Sequence, residues 1–470
     1  MNIVLVQELK PYSLKKIKKW LEKDDEKVKN ILLNLLELNI VKKIKAKTNV
    51  KEIEKLLEIE SLEEISLSLE DDIYFFKYVG ILMIDDCYIF SYPKYIKNIY
   101  EDKKDNYKKF IQILEVIKKY NSSKFLQGLE DKNVGNIFNL LGFTLDLLED
   151  YYRNGLYSNE KLIIEENGEG EILWDKTINE KNFYFSNGTP IYLDLYTIQT
   201  KTDENDLFNR LHRCILSTCC KKTRDILKIL NIEEVSFHSE KLEDFGNKDY
   251  LIYKLHQELT QQFITAKQEI LYKMINFIEE NYNIKTSNNI SFIGTNNFNL
   301  VWEEVCSYVM GNCLNKSLFE LGLISPSDIS KYTLLKNIIP KSQWTHYKSE
   351  RNFFPAGTLI PDLINIKGNK FSIYDAKYYN IKFNEKGIKN QPGISDISKQ
   401  HLYELAYKRF VDINNLKVEK NAFLIPSDEE NEEIIGDVKF DIFNLYDNFK
   451  LKNILIILKP CYKMFEQYLK

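Results

Sequence analysis

The sequence predicts an α/β protein in which a mixed central sheet is flanked by helices. The first observation is a pair of apolar runs separated by a short Gly-containing segment, which predicts two strands joined by a tight turn. The second is a helical pattern on either side of this pair, and the third is a set of later apolar runs. The predicted strands are 359–366, 371–379, 421–426 and 453–459, and the predicted helices are 298–314 and 395–404.

The predicted hairpin brings three ionisable side chains together. Gly368 and Asn369 supply the positive φ angles that a tight turn needs. Side chains alternate faces along a strand, so Asp375 and Lys377 point the same way. The turn also places Asp362, on the first strand, close to this pair. We therefore expect two carboxylates and one amine at one exposed edge of the sheet.

This grouping has a chemical use. Two carboxylates can hold Mg²⁺, with Mn²⁺ as the alternative, while waters and phosphate oxygens complete its coordination. A neighbouring lysine can position or deprotonate a water, and desolvation would lower the pKa of Lys377 whereas the carboxylates would raise it. The simpler interpretation remains that an Asp-x-Lys tripeptide is a solvated strand edge.

The elements Pro361-Asp362 and Asp375-Ala376-Lys377 resemble the motif of the PD-(D/E)xK nuclease superfamily. The resemblance implies a nuclease core built on a mixed sheet. It implies that Asp362, Asp375 and the backbone carbonyl of Ala376 ligate the metal ion. It also implies that Lys377 positions the attacking water.

Two flanking helices carry further residues implied by the resemblance. In many such nucleases a Gln or Lys on the helix after the hairpin faces the metal site, and Gln400 matches it, with Tyr403 one turn on. A Glu on the preceding helix often ligates metal or orients a water, and McrC-like proteins carry an aromatic-Glu pair there, which Trp302-Glu303 matches. Glu304 is the neighbouring alternative, and we favour Glu303.

A narrower resemblance lies in longer phrases of the sequence. DAKYY at 375–379 and QPGISDI at 391–397 look like the LlaJI-type restriction endonucleases, and more distantly like the nuclease subunit of McrBC systems. Shorter phrases of the same kind lie at 76–80, 92–96 and 170–178. The resemblance implies a Mg²⁺-dependent restriction endonuclease that cleaves double-stranded DNA at a specific sequence, in defence against foreign DNA.

The same resemblance implies partners. A cognate DNA methyltransferase would act in the same system, and a homodimer is an open alternative. Some relatives work with an McrB-like GTPase. The sequence holds no G-x-x-x-x-G-K-[ST] phosphate loop, so a motor, where one is needed, would be another polypeptide.

Three segments are predicted along the chain. Residues 1–100 form a winged-helix-like α+β module, residues 101–155 form a helical connector, and residues 156–470 form the nuclease domain with helical insertions. The first module contains an amphipathic helix at Pro11–Lys23, whose lysines are candidates for contacts with DNA phosphates. A solvated face on a docking domain is the alternative interpretation. These lysines are Lys15, Lys16, Lys18 and Lys19.

Composition sets limits on the class of protein. The chain has 470 residues and a net charge of −4, which gives no global nucleic-acid signature but allows a local basic face. Seven cysteines without regular spacing indicate reduced thiols, and neither a signal peptide nor an apolar run of membrane-spanning length occurs, so we expect a cytoplasmic protein.

Two other groups of residues are candidates for a metal site or a catalytic base. A zinc site is disfavoured because a second ligand pair at zinc spacing is missing, and buried thiols on a helix are the expected alternative. That group is His212, Cys214, Cys219 and Cys220. His346 precedes the hairpin and could act as a general base, although a loop or core position is more usual for such a histidine.

Other functions compete with the restriction nuclease. A winged-helix regulator would explain the N-terminal module but would leave the hairpin motif without a role. A scaffold with a decayed nuclease fold would not cleave DNA, and a repair or recombination nuclease would cleave without a defined short sequence.

Overall fold

The apolar runs near the C-terminus lie side by side as adjacent strands in a computed structural model of the chain. Strands that are buried on both faces read as continuous apolar runs, which explains their sequence. The structure describes residues 2–44, 72–85, 87–97, 99, 103–126, 140–203, 205–237, 240–283, 290–326, 329–349, 351–354, 357–385, 387–441 and 451–470.

Strands and helices are numbered here in chain order within this described part. The strands are β1 (Asn2–Gln7), β2 (Pro11–Ser13), β3 (Val41–Ile44), β4 (Ile73–Phe76), β5 (Val79–Ile84), β6 (Cys87–Tyr92), β7 (Glu160–Glu166), β8 (Glu171–Ile172), β9 (Phe183–Ser186), β10 (Thr189–Tyr192), β11 (Tyr196–Thr202), β12 (Ile290–Thr295), β13 (Trp344–His346), β14 (Arg351–Phe353), β15 (Leu363–Lys367), β16 (Lys370–Ala376), β17 (Lys382–Asn384), β18 (Gly387–Lys389), β19 (Lys417–Ser427), β20 (Glu433–Val438) and β21 (Ile454–Pro460). The helices are α1 (Leu14–Leu21), α2 (Asp25–Glu37), α3 (Lys103–Leu126), α4 (Leu140–Asn154), α5 (Trp174–Glu180), α6 (Leu207–Ile229), α7 (Lys248–Gln261), α8 (Thr265–Asn283), α9 (Phe298–Met310), α10 (Ile394–Ile413) and α11 (Cys461–Leu469).

The chain divides into two compact units. Unit 1 contains residues 1–136 and 293–470, and unit 2 contains residues 137–292. Within unit 1, α3 packs against α9 and α11, and the Lys119 ammonium donates to the carbonyl of Tyr468. The predicted three-segment division of the chain stays a prediction.

A five-stranded sheet forms the centre of unit 1, in the order β15-β16-β19-β21-β20. The inner strands β16, β19 and β21 run parallel, while β15 and β20 pair antiparallel with their neighbours. The expectation of an α/β fold with a mixed central sheet is confirmed.

The hairpin of β15 and β16 is shorter than predicted at both ends. The first strand begins after Pro361, because proline has no N–H for a ladder and restricts the residue before it. The second strand ends at Ala376 rather than Tyr379. Of the two turn residues, only Gly368 has a positive φ, 60°. The prediction that Asn369 shares this conformation is wrong, since Gly at the first central position suffices.

Helix α10 covers the face of the sheet that carries Phe371. The rings of Tyr407 and Phe410 lie 5.7 Å and 6.4 Å from that of Phe371, and all three are buried in one apolar cluster. Helix α9 packs against β15 and β16 and is tied to β19, because Trp302 donates from its indole N–H to the carbonyl of Leu424 at 3.1 Å. The predicted helices on both sides of the hairpin are therefore present.

The N-terminal part of unit 1 contains two small sheets, β1-β6-β5-β12 and β2-β4-β3. Helix α1 begins at Leu14 rather than Pro11, because Ser13 caps it by accepting the N–H of Lys16 and the three residues before Leu14 form β2. Gly80, with φ 146°, is required where β5 meets β12, since a Cβ there would lie 2.1 Å from the carbonyl oxygen of Ile293.

Unit 2 combines helices with short strands. β7, β11 and β8 form one sheet, and β9 pairs with β10. The segment 156–200 is rich in strands, and it also contains the short helix α5. The helical stretch at 250–281 is two helices, α7 and α8, because residues 262–264 leave the helical path.

All seven cysteines are buried and unpaired with one another. His212 is buried with three of them on α6, where its Nδ1 accepts the N–H of Tyr157 at 3.0 Å. In the part of the chain that the structure describes, no helix combines the length and hydropathy needed to cross a bilayer.

The core position of Phe371 gives a test of this packing. We expect Phe371→Ala to lower the free energy of unfolding by about 3–5 kcal/mol, because it leaves a cavity between the sheet and α10. The exposed Phe353 is the matched control, and its replacement by alanine should cost less than about 0.5 kcal/mol. Urea unfolding measures both, and equal losses would contradict the assignment of Phe371 to the core.

Candidate functional site

The hairpin register sets Asp362 opposite Asp375. Leu363 pairs with Tyr374 in the antiparallel ladder. Asp362 precedes Leu363 and Asp375 follows Tyr374, so these two residues face each other. Asp362 accepts the backbone N–H of Ala376 through Oδ2 at 2.9 Å, which fixes its side chain at the end of β16. The structure thus brings together the two carboxylates that the sequence predicted to be neighbours.

These carboxylates are less exposed than expected. Strand β16 lies between β15 and β19, and Asp375 is 7% exposed, while Asp362 is half-buried. The expectation of an exposed sheet edge is therefore wrong for Asp375. The prediction considered the hairpin alone and did not include β19, which pairs with β16.

Burial and like charge together change the ionisation of Asp362. Burial raises its pKa to about 8, and the charge of Asp375, a hydrogen bond between the two carboxyls and the charge of Glu303 act in the same direction. The N–H of Ala376 opposes them more weakly. At neutral pH the pair therefore retains a proton, because two adjacent buried carboxylates without a cation repel each other.

Lys377 lies between two carboxylates. Its ammonium is 2.9 Å from Oδ2 of Asp375 and 2.9 Å from Oδ1 of Asp396, and its backbone N–H donates to the carbonyl of Leu424 at 3.0 Å. Burial lowers the pKa of Lys377, but attraction and hydrogen bonds to both carboxylates outweigh it and raise the pKa above its usual range. Of the two directions left open by the sequence, the structure favours the raised pKa and a permanent cation.

One face of α10 lines the site. Asp396, Gln400 and Tyr403 follow the i, i+4, i+7 spacing that puts side chains on a single helix face. Burial raises the pKa of Tyr403 to about 12, and the charges of Asp375 and Asp362 contribute, so the phenol lies within their field. Sequence reasoning missed Asp396, although its spacing from Gln400 could have indicated it.

Gln400 lies deeper than a metal-facing side chain would. It is fully buried, and its amide nitrogen is 3.5 Å from the carbonyl of Ile373 and 3.4 Å from that of Ala422. Its amide oxygen is buried and accepts no hydrogen bond from the described residues. The side chain therefore supports strands β16 and β19 directly behind the carboxylates.

The two glutamates of α9 differ in their surroundings. Glu303 is half-buried, and its charge contributes to the raised pKa of Asp362. Glu304 is exposed. Because Trp302 anchors the helix to Leu424, the helix rotation that places Glu303 on the side of the carboxylates is fixed. This geometry favours Glu303 over Glu304.

Tyr378, which directly follows Lys377, belongs to a buried polar network. The Tyr378 hydroxyl donates to the Glu8 carboxylate, which also accepts the backbone N–H of Lys94 at 3.2 Å. The Lys94 ammonium lies 4.4 Å from the centre of the Tyr378 ring. Burial raises the pKa of Glu8 and lowers that of Lys94, while their mutual attraction opposes both changes. The network holds the backbone directly after Lys377.

The remaining predicted residues lie on other elements. On α1, Lys15, Lys16 and Lys19 are exposed, whereas Lys18 is half-buried and pairs with Asp25 at 2.7 Å. The Lys16 ammonium lies 5.2 Å and 5.6 Å from the rings of Tyr12 and Trp20. His346 is exposed on β13, with Nδ1 2.8 Å from the Ser349 hydroxyl.

The carboxylate pair offers side-chain oxygens that could hold a cation. Asp362, Asp375 and the carbonyl of Ala376 offer the hard oxygen ligands that Mg²⁺ prefers, and a cation would replace the retained proton. No group of three or more His, Cys, Asp and Glu side chains is arranged to hold a metal within the described ranges. The protein ligands for a cation here would therefore be this pair, with waters and backbone oxygen completing the coordination.

Comparisons with known proteins point to one family. The family model of the LlaJI restriction endonuclease matches residues 78–458. The component YdjA of the type II restriction enzyme BsuMI, from Bacillus subtilis (strain 168), is 29% identical over 299 residues, which cover 62% of this chain and 59% of the relative. The chain thus spans about three fifths of the length of the curated relative that it matches.

Two solved structures are distantly similar, and both are of Thermococcus gammatolerans McrBC. One, from a tetradecameric assembly of McrB AAA+ hexamers with bound McrC, has a TM-score of 0.40 and 14% identity, covering 99% of this chain and 98% of the other. The second, the McrBC complex, has a TM-score of 0.23 and 12% identity, with coverage of 64% and 84%. At these scores the similarity carries no inference about this chain.

The shared proton gives a pH-dependent prediction. In metal-free buffer, the stability of the wild-type protein should fall relative to that of Asp362→Asn as the pH rises from about 4 to about 8. The folded protein holds the proton in this window, whereas the unfolded carboxyl, with a pKa of about 3.9, has lost it. Thermal unfolding across this range measures the difference.

A cation should reverse this effect. Addition of Mg²⁺ at pH 8 should raise the unfolding temperature of the wild-type protein more than that of Asp362→Asn. The exposed Asp412 on α10 supplies the control, since Asp412→Asn should follow the wild type in both experiments. Identical pH profiles for wild type and Asp362→Asn would contradict the shared proton.

Proposed function

We propose, because this chain belongs to the LlaJI restriction endonuclease family, that it hydrolyses phosphodiester bonds of double-stranded DNA in a Mg²⁺-dependent reaction at a specific sequence. The observation that carries the proposal is the arrangement of Asp362, Asp375 and Lys377 at the end of one hairpin. Two carboxyl groups that could hold a metal ion, with a lysine ammonium beside them, match the needs of phosphate hydrolysis. The biological role would be defence against foreign DNA.

The order of elements around the site supports a PD-(D/E)xK core. Helix α9 precedes the hairpin, and α10 and the parallel strands β19 and β21 follow it in one mixed sheet. The predicted acidic, basic and helical elements of that motif thus belong to one contiguous unit. We assign the nuclease core to this sheet and these helices.

Asp362, Asp375 and the Ala376 carbonyl would hold the ion, with Glu303 supporting it through a coordinated water or orienting the attacking water. A Mg²⁺ ion bound there would supply charge neutralisation at the phosphate and a lowered pKa for a coordinated water. Lys377, a permanent cation, donates hydrogen bonds to the attacking water or to a phosphate oxygen rather than accepting a proton.

Three further residues position these groups. Asp396 orients Lys377 through the 2.9 Å ion pair, so the ammonium has a partner that is not one of the proposed metal ligands. Gln400 steadies β16 and β19 behind the site. Tyr403 faces the carboxylates from the same helix and can donate its hydroxyl proton in a hydrogen bond, because its pKa is raised.

The N-terminal part of unit 1 is the proposed recognition module. Its exposed face on α1 presents Lys15, Lys16 and Lys19, which would meet DNA phosphates, with Lys18 partly engaged by Asp25. We retain the winged-helix-like description of residues 1–100 as part of this proposal. The oligomeric form, including a homodimer, and a cytoplasmic location belong to the proposal as well.

A second candidate is a nuclease subunit of a larger restriction complex. The matched relative is described as a component of a restriction enzyme, and the chain spans only part of its length. On this alternative an McrB-like GTPase would supply the motor. A methyltransferase of the same system would protect host DNA in either case.

Cleavage by matched lysine variants tests the proposal. Lys370 begins β16 and Lys377 directly follows its last residue, and Lys370 pairs with Glu419 on the surface. We expect Lys377→Ala to slow Mg²⁺-dependent cleavage of unmethylated plasmid or phage DNA by about 10³-fold or more, since it removes a charge that stabilises the transition state. Lys370→Ala should cleave at the wild-type rate. The assay is run with the protein alone, and with GTP and a co-encoded GTPase.

Each outcome of this assay is informative. Discrete fragments from the protein alone support a self-sufficient nuclease, and fragments only with GTP and the partner support the subunit alternative. Equal activity of Lys377→Ala and wild type would remove the catalytic assignment. Cleavage that persists in excess EDTA would remove the role of Mg²⁺.

The neighbouring glutamates offer a second matched pair. Glu303→Gln should reduce cleavage by about 10²-fold or more, because it removes a charge near Asp362. Glu304→Gln should leave the rate unchanged, since this side chain is exposed. A Mg²⁺ titration of both variants separates weaker metal binding from slower chemistry. The reverse ranking would transfer the role to Glu304.

A further inference from the structure

An exposed hairpin precedes the strands of the proposed active site in the chain. Strands β13 and β14 pair antiparallel, with Trp344 opposite Phe353 and His346 opposite Arg351, and all six strand residues are exposed. We call residues 344–353 the aromatic hairpin. It belongs to unit 1, as does the carboxylate pair.

The aromatic hairpin presents large rings to solvent. Trp344 is 65% exposed, Tyr347 91% and Phe353 55%. Large apolar side chains clustered at this exposure mark a surface that contacts a partner molecule. Internal hydrogen bonds order the hairpin, including 2.8 Å from the Thr345 hydroxyl to the Asn352 amide oxygen. The rings are thus held outward on a pre-formed element.

The sequence of this segment has a net charge of +1, from Lys348 and Arg351 against Glu350, with His346 counted as neutral. Lys348 and Arg351 are exposed, and neither forms an ion pair with another described residue. The exposed strands β9 and β10 of unit 2 differ, because their sequences contain aromatic residues but no lysine or arginine. Rings interleaved with cations are the pattern of surfaces that bind nucleic acid, where rings contact bases and cations contact phosphates.

The aromatic hairpin belongs to the chain segment that precedes the catalytic strand. The Thr358 hydroxyl is 3.2 Å from the carbonyl of Ile339 and 2.9 Å from that of Pro340, which ties the residues after the hairpin to those before it. Asp362 follows Phe353 by nine residues, so at up to ~3.6 Å per residue their Cα atoms are at most about 32 Å apart. This corresponds to about nine base pairs of DNA at ~3.4 Å each.

We infer that the aromatic hairpin is a DNA-contacting element, which binds the duplex on one side of the scissile phosphate through Lys348, Arg351 and the rings of Trp344 and Tyr347. The inference rests on the proposed function, since the partner is the DNA substrate of the same site. The cations neutralise phosphates of the duplex that flanks the scissile bond. The rings stack on bases or sugars there and hold the strand against the site.

DNA affinity tests this role separately from cleavage. The probe is a fluorescein-labelled 30-base-pair duplex of mixed sequence, titrated with the full chain in Ca²⁺ buffer and followed by anisotropy. We expect Trp344→Ala/Tyr347→Ala to weaken binding about tenfold or more. Lys348→Ala/Arg351→Ala should weaken binding and reduce the slope of log Kd against log salt concentration by about two, one per lost phosphate contact.

The control is a similar surface elsewhere in unit 1. Phe319 and Tyr332 are exposed, their rings lie 5.7 Å apart in a tilted arrangement, and the Lys331 ammonium lies over both rings. Phe319→Ala/Tyr332→Ala should bind the duplex as the wild type does. Thermal unfolding verifies that every variant is folded, and Lys348→Glu/Arg351→Glu repeats the test without removing a ring.

Unchanged duplex affinity in both hairpin variants would overturn the inference. So would a change in sedimentation without a change in DNA affinity, which would make the hairpin a contact between copies of this chain. Equal weakening by the control pair would show a loss that is not specific to the hairpin. None of these results bears on whether Lys377→Ala cleaves, so failure of the inference and failure of the proposed function are distinguishable.

Discussion

The account depends on the proximity of two carboxyl groups, Asp362 and Asp375, which the β15–β16 register forces to face each other. The two carboxyl groups cannot move apart, because Asp362 accepts the N–H of Ala376 and Asp375 lies on an inner strand. Their repulsion in a partly buried position is relieved by a proton here and by a cation in the proposed working state. A folded protein tolerates such a destabilising pair chiefly where it serves a function.

Charged side chains near Asp362 and Asp375 determine the chemistry that is available to these two carboxyl groups. Lys377 bridges Asp375 and Asp396, so the hairpin and helix α10 share one ammonium. Tyr378, directly after the lysine, is fixed by Glu8 and Lys94, which follow strands β1 and β6. The position of the lysine therefore depends on a distant part of the sequence. The lysine is thus oriented from three elements, and a change in any of them would alter its placement relative to a phosphate.

The sequence was informative wherever local geometry decides the outcome. Strand alternation, a Gly-containing turn and two flanking helices were enough to predict the mixed sheet and the meeting of Asp362 with Asp375. The burial of Asp375 was not predictable, because it depends on β19, whose first paired residue lies more than 40 positions later. The role of Asp396 and the depth of Gln400 depend on helix rotation, which is set by the packing of Tyr407 and Phe410 on Phe371.

The most direct test is a crystal structure of the chain with Mn²⁺ and a DNA duplex, with anomalous diffraction used to locate the metal. The account predicts an anomalous peak between the carboxylates of Asp362 and Asp375, at about 2.0–2.3 Å from their oxygens, with a DNA phosphate beside it. A peak at another site, or DNA bound productively with no metal between these two residues, would contradict it.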